Sequence, residues 1–215
     1  MYKAILFDLD GTLTDSGEGI TKSVQYALEK IGKPEPELEK LRVFVGPPLI
    51  EEFQAYAGID EETARKAVEI YRERYAPIGI YENKLYPGIE EMLTGLKARG
   101  YKLGIASSKP EKFVKIVADF FQISSYFDEI VGSEPDGRRT DKAQVVEEAL
   151  RRMGLEEHPD QVILVGDKEH DVYGARKAGL ECLAVSYGYG TREELENARP
   201  LKIVDSAEEV LDFFV

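Results

Sequence analysis

Two carboxylates spaced two residues apart, Asp8 and Asp10, directly follow the apolar run Ala4-Ile5-Leu6-Phe7. Side chains two apart on an extended chain point the same way, so both acids can converge on one point past the strand end. Gly11 then allows a sharp backbone turn. Paired carboxylates at the end of a buried strand repel each other and resist desolvation. A divalent cation resolves that conflict, and hard oxygen ligands favour Mg²⁺. Asp10-Gly11 is also a turn composition, but a turn leaves Asp8 at the end of the apolar run unexplained. An EF-hand calcium loop fails on spacing: its glycine would be fourth rather than sixth, and Gly19 stands where the twelfth-position Glu is required.

A third acid, Asp167, follows the apolar run Val162-Ile163-Leu164-Val165 in the same way. Asp171, four residues on, can face the same point from the first turn of a helix; an acid there also complements the helix dipole. In Ala106-Ser107-Ser108-Lys109-Pro110 a hydroxyl and helix-start amides could hold an anion. The plainer alternative makes Ser107 and Ser108 helix caps. Lys142 opens a helix, where the dipole disfavours a cation. That placement suits either a compact positive charge for phosphate or a solvated lysine. His158 and His170 read as exposed loop and helix neighbours.

Alternating strands and helices must position these groups. After the first strand, residues 14–86 read as helices only. Ile20, Val24, Leu28 and Ile31 stripe one, Leu38 to Phe44 a short second, Leu49 to Ala57 a third, and Ala64, Ala67, Val68, Tyr71 and Tyr75 a fourth capped by Asp60. From Pro87 the period alternates. Strands are expected at 102–106, 127–131, 161–165 and 182–185, with a short edge strand at 203–204. A helix striped by Phe113, Ile116, Val117 and Phe120 and another by Val146, Ala149, Leu150 and Met153 lie between them. Thr191-x-x-Glu194 and Ser206-x-x-Glu209 resemble capping boxes. Such alternation implies an α/β fold, a Rossmann-like parallel sheet with helices on both faces. Functional groups in such sheets gather at the carboxyl ends of the strands.

The 215 residues carry 28 Lys and Arg against 41 Asp and Glu, a formal charge of -13. That balance disfavours nucleic acid and anionic membrane as partners. Cys182 is the sole cysteine, so no internal disulfide forms, and its apolar run marks it as a small core residue. No leader or long apolar segment is visible, which suggests a cytoplasmic protein.

Asp8-Leu9-Asp10-Gly11-Thr12-Leu13 resembles motif I of the haloacid dehalogenase superfamily of phosphatases. The series Asp8/Asp10, Ser107, Lys142, Asp167/Asp171 is similar to its motifs I to IV. The resemblance covers nearly the whole chain. It implies an α/β core at 1–13 and 87–215 and an inserted helical cap of C1 type at 14–86. Within the superfamily the chain looks most like phosphoglycolate phosphatase-like and bacterial 5′-nucleotidase-like members. Asp15-Ser16-Gly17-Glu18-Gly19-Ile20, Val45-Gly46-Pro47-Pro48-Leu49 and Gly132-Ser133-Glu134-x-Asp136-Gly137 resemble the nucleotidase-like group.

The resemblance implies Mg²⁺-dependent hydrolysis of a small phosphate monoester through an aspartyl-phosphate. Asp8 would be the nucleophile and Asp10 the acid and base. The metal ligands would be Asp8, Asp10 through its backbone carbonyl, Asp167 and Asp171. Ser107 and Lys142, with the amides near Leu9 and Ser108, would hold phosphate oxygens. Thr12 would fix the Asp10 side chain, and Lys22, Arg42 and Gly46 would contribute to specificity from the cap. Haloacid dehalogenases lack an acid at the position of Asp10, so its presence favours phosphoryl chemistry. A phosphomutase of the β-phosphoglucomutase type and a non-catalytic phospho-accepting or binding domain are the rival readings. A monomer or homodimer is expected.

Overall fold

The computed structural model describes residues 2–134 and 139–214. They form two compact units, one of residues 1–14 and 85–215 and the other of residues 15–84.

The first unit is built on β1 (Ala4–Phe7), whose four side chains are all fully buried. Two-residue strands β2 (Thr14–Asp15) and β3 (Lys84–Leu85) stand where the chain leaves this unit and returns to it. They correct the expectation of helices alone across 14–86; strands so short carry no periodic signal. Then follow α4 (Ile89–Ala98), β4 (Lys102–Pro110), α5 (Glu111–Phe120), β5 (Glu129–Ser133), α6 (Lys142–Met153), β6 (Val162–Gly166), α7 (Glu169–Lys177), β7 (Glu181–Val185), α8 (Arg192–Ala198), β8 (Lys202–Val204) and α9 (Ala207–Phe213). Among the described residues six strands make one parallel sheet in the order β5-β4-β1-β6-β7-β8.

The chain grows outward from β1 to β4 and β5, then returns to the other side of β1 at β6. The strand order therefore reverses across β1, the place where open α/β sheets leave a crevice for a ligand. Register fixes what lines it. Phe7 pairs with Ile105 on β4 and Val165 on β6, so Asp8, Ser107 and Asp167 emerge at nearly one level.

Alternation along β1 sends Ala4 and Leu6 to one face. There they join Val145, Val146 and Leu150 of α6 and Val172 and Ala175 of α7 in one buried cluster. The α5 helix buries Phe113, Val114, Val117 and Ala118, while Ile116 and Phe120 are exposed. The expected stripe is thus rotated. The helix has apolar residues on two overlapping faces, and only packing on β4 and β5 selects between them.

The second unit is helical: α1 (Gly17–Lys30), a 3₁₀ turn at Leu38–Phe44, α2 (Leu49–Ala57), α3 (Glu61–Tyr75) and a 3₁₀ turn at Gly79–Tyr81. Its core holds Val24, Leu28, Phe44, Phe53 and Tyr75, with the Phe44 and Phe53 rings 4.9 Å apart. The Asp60 carboxylate accepts the Thr63 N–H, as expected of a helix cap.

Candidate active site

Asp8 is carried to the rim of the sheet by β1, and its N–H donates to the Val165 carbonyl of β6 at 2.9 Å. The turn after it closes on Leu9, whose carbonyl accepts the N–H groups of Thr12, Leu13 and Thr14. Asp167 leaves β6 one residue past the strand end, and Asp171 lies in the first turn of α7. One carboxylate oxygen from each of Asp8, Asp167 and Asp171 lies within 4.8 Å of the others, and all three residues are buried.

Lys142, the first residue of α6, answers part of this charge. Its Nζ donates to Asp8 Oδ1 at 2.7 Å and to the Ala106 carbonyl at 3.0 Å, and stands 2.8 Å from Asp171 Oδ1. The ammonium that the helix dipole disfavours is thus a buried bridge between two acids. Burial opposes its charge, but Asp171 and Asp8 outweigh that and hold its pKa above the usual lysine value. Burial pushes Asp8 up to about 6; Lys142 opposes the shift and Asp171 adds to it. Asp167 is pushed up to about 8, first by burial and then by the charges of Asp171 and Asp8.

The cradle around Asp167 comes from elements far apart in sequence. Its Oδ2 accepts the Tyr189 N–H at 2.7 Å, and its Oδ1 accepts the Thr12 hydroxyl at 3.3 Å. Thr12 was expected on Asp10; the tight turn at Leu9 directs it to Asp167 instead. Gly11, at φ +90°, and Gly188 both lie against Asp167, and a Cβ on either would overlap it. Tyr187 donates its hydroxyl to the Thr12 carbonyl at 2.9 Å, and its ring packs 4.8 Å from that of Tyr86. Asp171 Oδ2 also accepts the Asp167 and Lys168 N–H groups at 3.2 and 3.1 Å. It serves as helix-terminal acid and as a member of the cluster at once.

Asp10 is buried beside this cluster but is not one of its three carboxylates. Its Oδ2 accepts from Lys109 Nζ at 2.6 Å. Lys109 was not among the expected site residues, although it stands two positions beyond Ser107 on the same strand end. Ser107 is buried, and its hydroxyl oxygen accepts the Lys109 N–H at 3.4 Å; Ser108 is half-buried. The Gly188-Tyr189-Gly190 loop was missed as well; its signal is its place just past the end of β7.

The segment before Lys142 is braced by ions. Arg139 donates to the Gly132 carbonyl at 2.9 Å and reaches Glu111, Glu134 and Glu148. Asp136 and Gly137 of the Gly132-to-Gly137 motif lie outside the described residues. In the helical unit, Lys22 pairs with Glu18 and Glu82, and Arg42 with Glu39. Gly46 takes a φ of +104° after the first 3₁₀ turn.

The donor set fits a hard divalent cation. Three buried carboxylates face one ammonium, and every prospective ligand is oxygen.

A family profile described as haloacid dehalogenase-like hydrolase matches residues 5–185. The chain belongs to that family. Among relatives of this haloacid dehalogenase-like hydrolase, a 5′-nucleotidase of Pseudomonas aeruginosa is 45% identical over 199 residues, covering 93% of this chain and 89% of the relative. The tyrosine-protein kinase PtkA of Mycobacterium tuberculosis is 36% identical, with 94% and 68% covered. A phosphoglycolate phosphatase of Pseudomonas savastanoi is 30% identical, with 97% and 78% covered. A crystal structure described as a predicted phosphatase from Clostridium acetobutylicum superimposes with a TM-score of 0.96 at 45% identity, covering 100% of this chain and 98% of the other. The hydrolase is accordingly an enzyme of the phosphoric monoester hydrolase type. Among the described residues no helix is long and apolar enough to cross a membrane.

Proposed function

We propose that this chain is a cytoplasmic, Mg²⁺-dependent phosphatase acting on a small phosphate monoester of the nucleoside 5′-monophosphate or phosphoglycolate class, through an aspartyl-phosphate on Asp8. The observation that carries this reading is the convergence of Asp8, Asp167 and Asp171 within 4.8 Å, with Lys142 bridging Asp8 and Asp171. Its support from likeness is the 5′-nucleotidase and the phosphoglycolate phosphatase among its relatives.

Asp8, Asp167, Asp171 and the Asp10 carbonyl would hold Mg²⁺. When bound, the ion lowers the repulsion between a carboxylate nucleophile and a phosphate dianion. Asp8 attacks phosphorus in line; a bond forms from its carboxylate oxygen as the bond to the ester oxygen breaks. Asp10 gives a proton to the departing alkoxide. Water then attacks the phosphorus and passes its proton to Asp10, the Asp8–phosphorus bond breaks, and inorganic phosphate leaves. Lys142 and Ser107 hold and neutralise the non-bridging oxygens, with the amides near Leu9 and Ser108; positioning and charge are most of what phosphoryl transfer requires. The helical insert, residues 14–86, acts as the cap that selects the ester, with Lys22, Arg42 and Gly46 as the residues to vary first.

A phosphate-release screen over nucleoside monophosphates, phosphoglycolate and sugar phosphates tests this, with Mg²⁺ and with EDTA. Turnover is expected with the metal and none without it. Asp8→Asn should remove turnover and leave the fold intact; residual hydrolysis by that variant refutes the nucleophile. The likeness to the tyrosine-protein kinase PtkA favours a second reading, transfer of the phosphoryl group from Asp8 to a hydroxyl acceptor rather than to water. Phosphate release that needs no acceptor separates the two.

A further inference from the structure

Asp10 and Lys109 form an enclosed ion pair, 2.6 Å from nitrogen to oxygen, with each side chain 7% exposed. Charges so removed from water cost stability unless they are well matched, so the pair calls for an account beyond packing. Three further facts constrain it. Asp10 Oδ1 is equally buried and has no hydrogen-bond partner among the described residues. Lys109 lies within the stretch where β4 slips its register against β5, between Ala106 and Pro110. Its N–H meets Ser107 Oγ at 3.4 Å, and its carbonyl lies so close to Gly132 that a Cβ there would come within 2.5 Å.

We propose that Lys109 is the positioning residue for Asp10, and that it fixes Oδ1 as the oxygen through which protons move. This rests on the phosphatase reading above. A carboxyl group whose one oxygen accepts from an ammonium has only the other free to carry a proton. Lys109 therefore turns Asp10 so that Oδ1–H meets the ester oxygen: the oxygen–hydrogen bond of Asp10 breaks and that of the alcohol forms as the phosphorus–oxygen bond cleaves. In the second half the same oxygen takes the proton of the attacking water. Lys142, paired with Asp8 and Asp171, has the separate task of neutralising charge beside the nucleophile.

The two lysines make different predictions about leaving groups. An alkyl phosphate such as a nucleoside 5′-monophosphate needs a proton on its departing oxygen, whereas p-nitrophenolate leaves without one. The test compares kcat/KM for both esters in Lys109→Met and Lys109→Arg, alongside calorimetric binding of orthovanadate with Mg²⁺. Lys109→Met should lose about tenfold or more on the alkyl ester, a part of the roughly 10²–10⁴-fold that a general acid contributes, and far less on p-nitrophenyl phosphate. Lys109→Arg should regain part of that loss, and orthovanadate should bind both variants as it binds the parent. Equal losses on both esters with weakened orthovanadate binding would make Lys109 a phosphate ligand and overturn the proposal. Unchanged kcat/KM on both esters in Lys109→Met would reduce the pair to a structural one and overturn it too. If Lys109→Met does not fold, Lys109→Arg alone decides, by a loss confined to the alkyl ester or shared by both. Failure of the phosphatase reading shows separately, as parent protein that releases phosphate from neither ester, and it takes this assignment with it.

Discussion

Gly11 and Asp167 approach so closely that a Cβ on the glycine would overlap the carboxylate, with even its farther oxygen only 2.7 Å away. The contact joins the turn after β1 to the end of β6. Alanine at position 11 suffers twice, from a φ of +90°, costing about 1–2 kcal/mol, and from the overlap. Gly11→Ala should unfold at lower urea with an unchanged m-value, and should bind Mg²⁺ much more weakly by calorimetry. Full Mg²⁺ affinity in a folded Gly11→Ala protein would show that Asp167 need not stand where it does.

The buried acids make the metal-free protein sensitive to pH. The pKa of Asp8 is raised from 3.8 to about 6 and that of Asp167 to about 8. The folded state therefore keeps protons that the unfolded chain has already released. Their contribution to stability is full below the unfolded value and is lost as pH rises towards 8. Acids held low elsewhere, such as Glu148 at about 2 beside Arg151 and Arg152, change nothing in this window because they stay ionised in both states. One carboxyl forced to ionise costs about 1.4 kcal/mol per pH unit, which is about 3 °C for a chain of this length. Melting in EDTA should fall steadily from pH 5 to pH 8, and saturating Mg²⁺ should flatten the slope. A flat EDTA profile would mean that the acids are not coupled as the geometry implies.

The strand ends were legible because the physics there is local. An apolar run of four or five residues in a chain that alternates strand and helix fits a buried strand, and an acid just past it then sits at the rim of a parallel sheet. Asp8 and Asp167 could be read in that way, as could Cys182, which is buried as expected. The Thr191 capping box could be read from spacing alone. What escaped depends on register and packing. Lys109 reaches Asp10 from within the slip between β4 and β5, and no sequence period encodes a slip. Ile116 and Phe120 fit a helical stripe as well as Val114 and Ala118 do; the sheet beneath α5 chooses between them. The Tyr189 N–H that holds Asp167 is a backbone group, invisible to any reading of residue types.

Asp167→Asn separates the metal from the fold. The amide keeps an oxygen for the Tyr189 N–H but removes the charge that burial and Asp171 and Asp8 oppose. At pH 8 in EDTA the variant should melt above the parent by several degrees. The parent has to ionise a group whose pKa is raised, at a cost of about 1.4 kcal/mol per pH unit. Added Mg²⁺ should then stabilise the variant little. A variant less stable than the parent in EDTA at pH 8 would show that the carboxylate is kept for its hydrogen bonds rather than as a ligand held against repulsion.

Lys142 makes the opposite case. Its ammonium touches Asp8 and Asp171 at 2.7 and 2.8 Å, and its stem packs so tightly on α7 that a Cβ on Gly174 would come within 2.5 Å of Lys142 Cγ. Methionine preserves the stem and deletes the charge. Removing one partner of a buried pair costs about 3–5 kcal/mol, chiefly because the other charge is left unpaired. Lys142→Met should therefore lose that much stability in urea at pH 8 without metal, and lose turnover with it. Much of the stability loss should be recovered in Lys142→Met with Asp8→Asn, because the second change removes one of the stranded charges; the two effects should fall short of additivity. Activity should not return, since the nucleophile has gone. Additive losses in the double variant would mean that Lys142 supports the fold through its stem or the Ala106 carbonyl rather than through the acids it bridges.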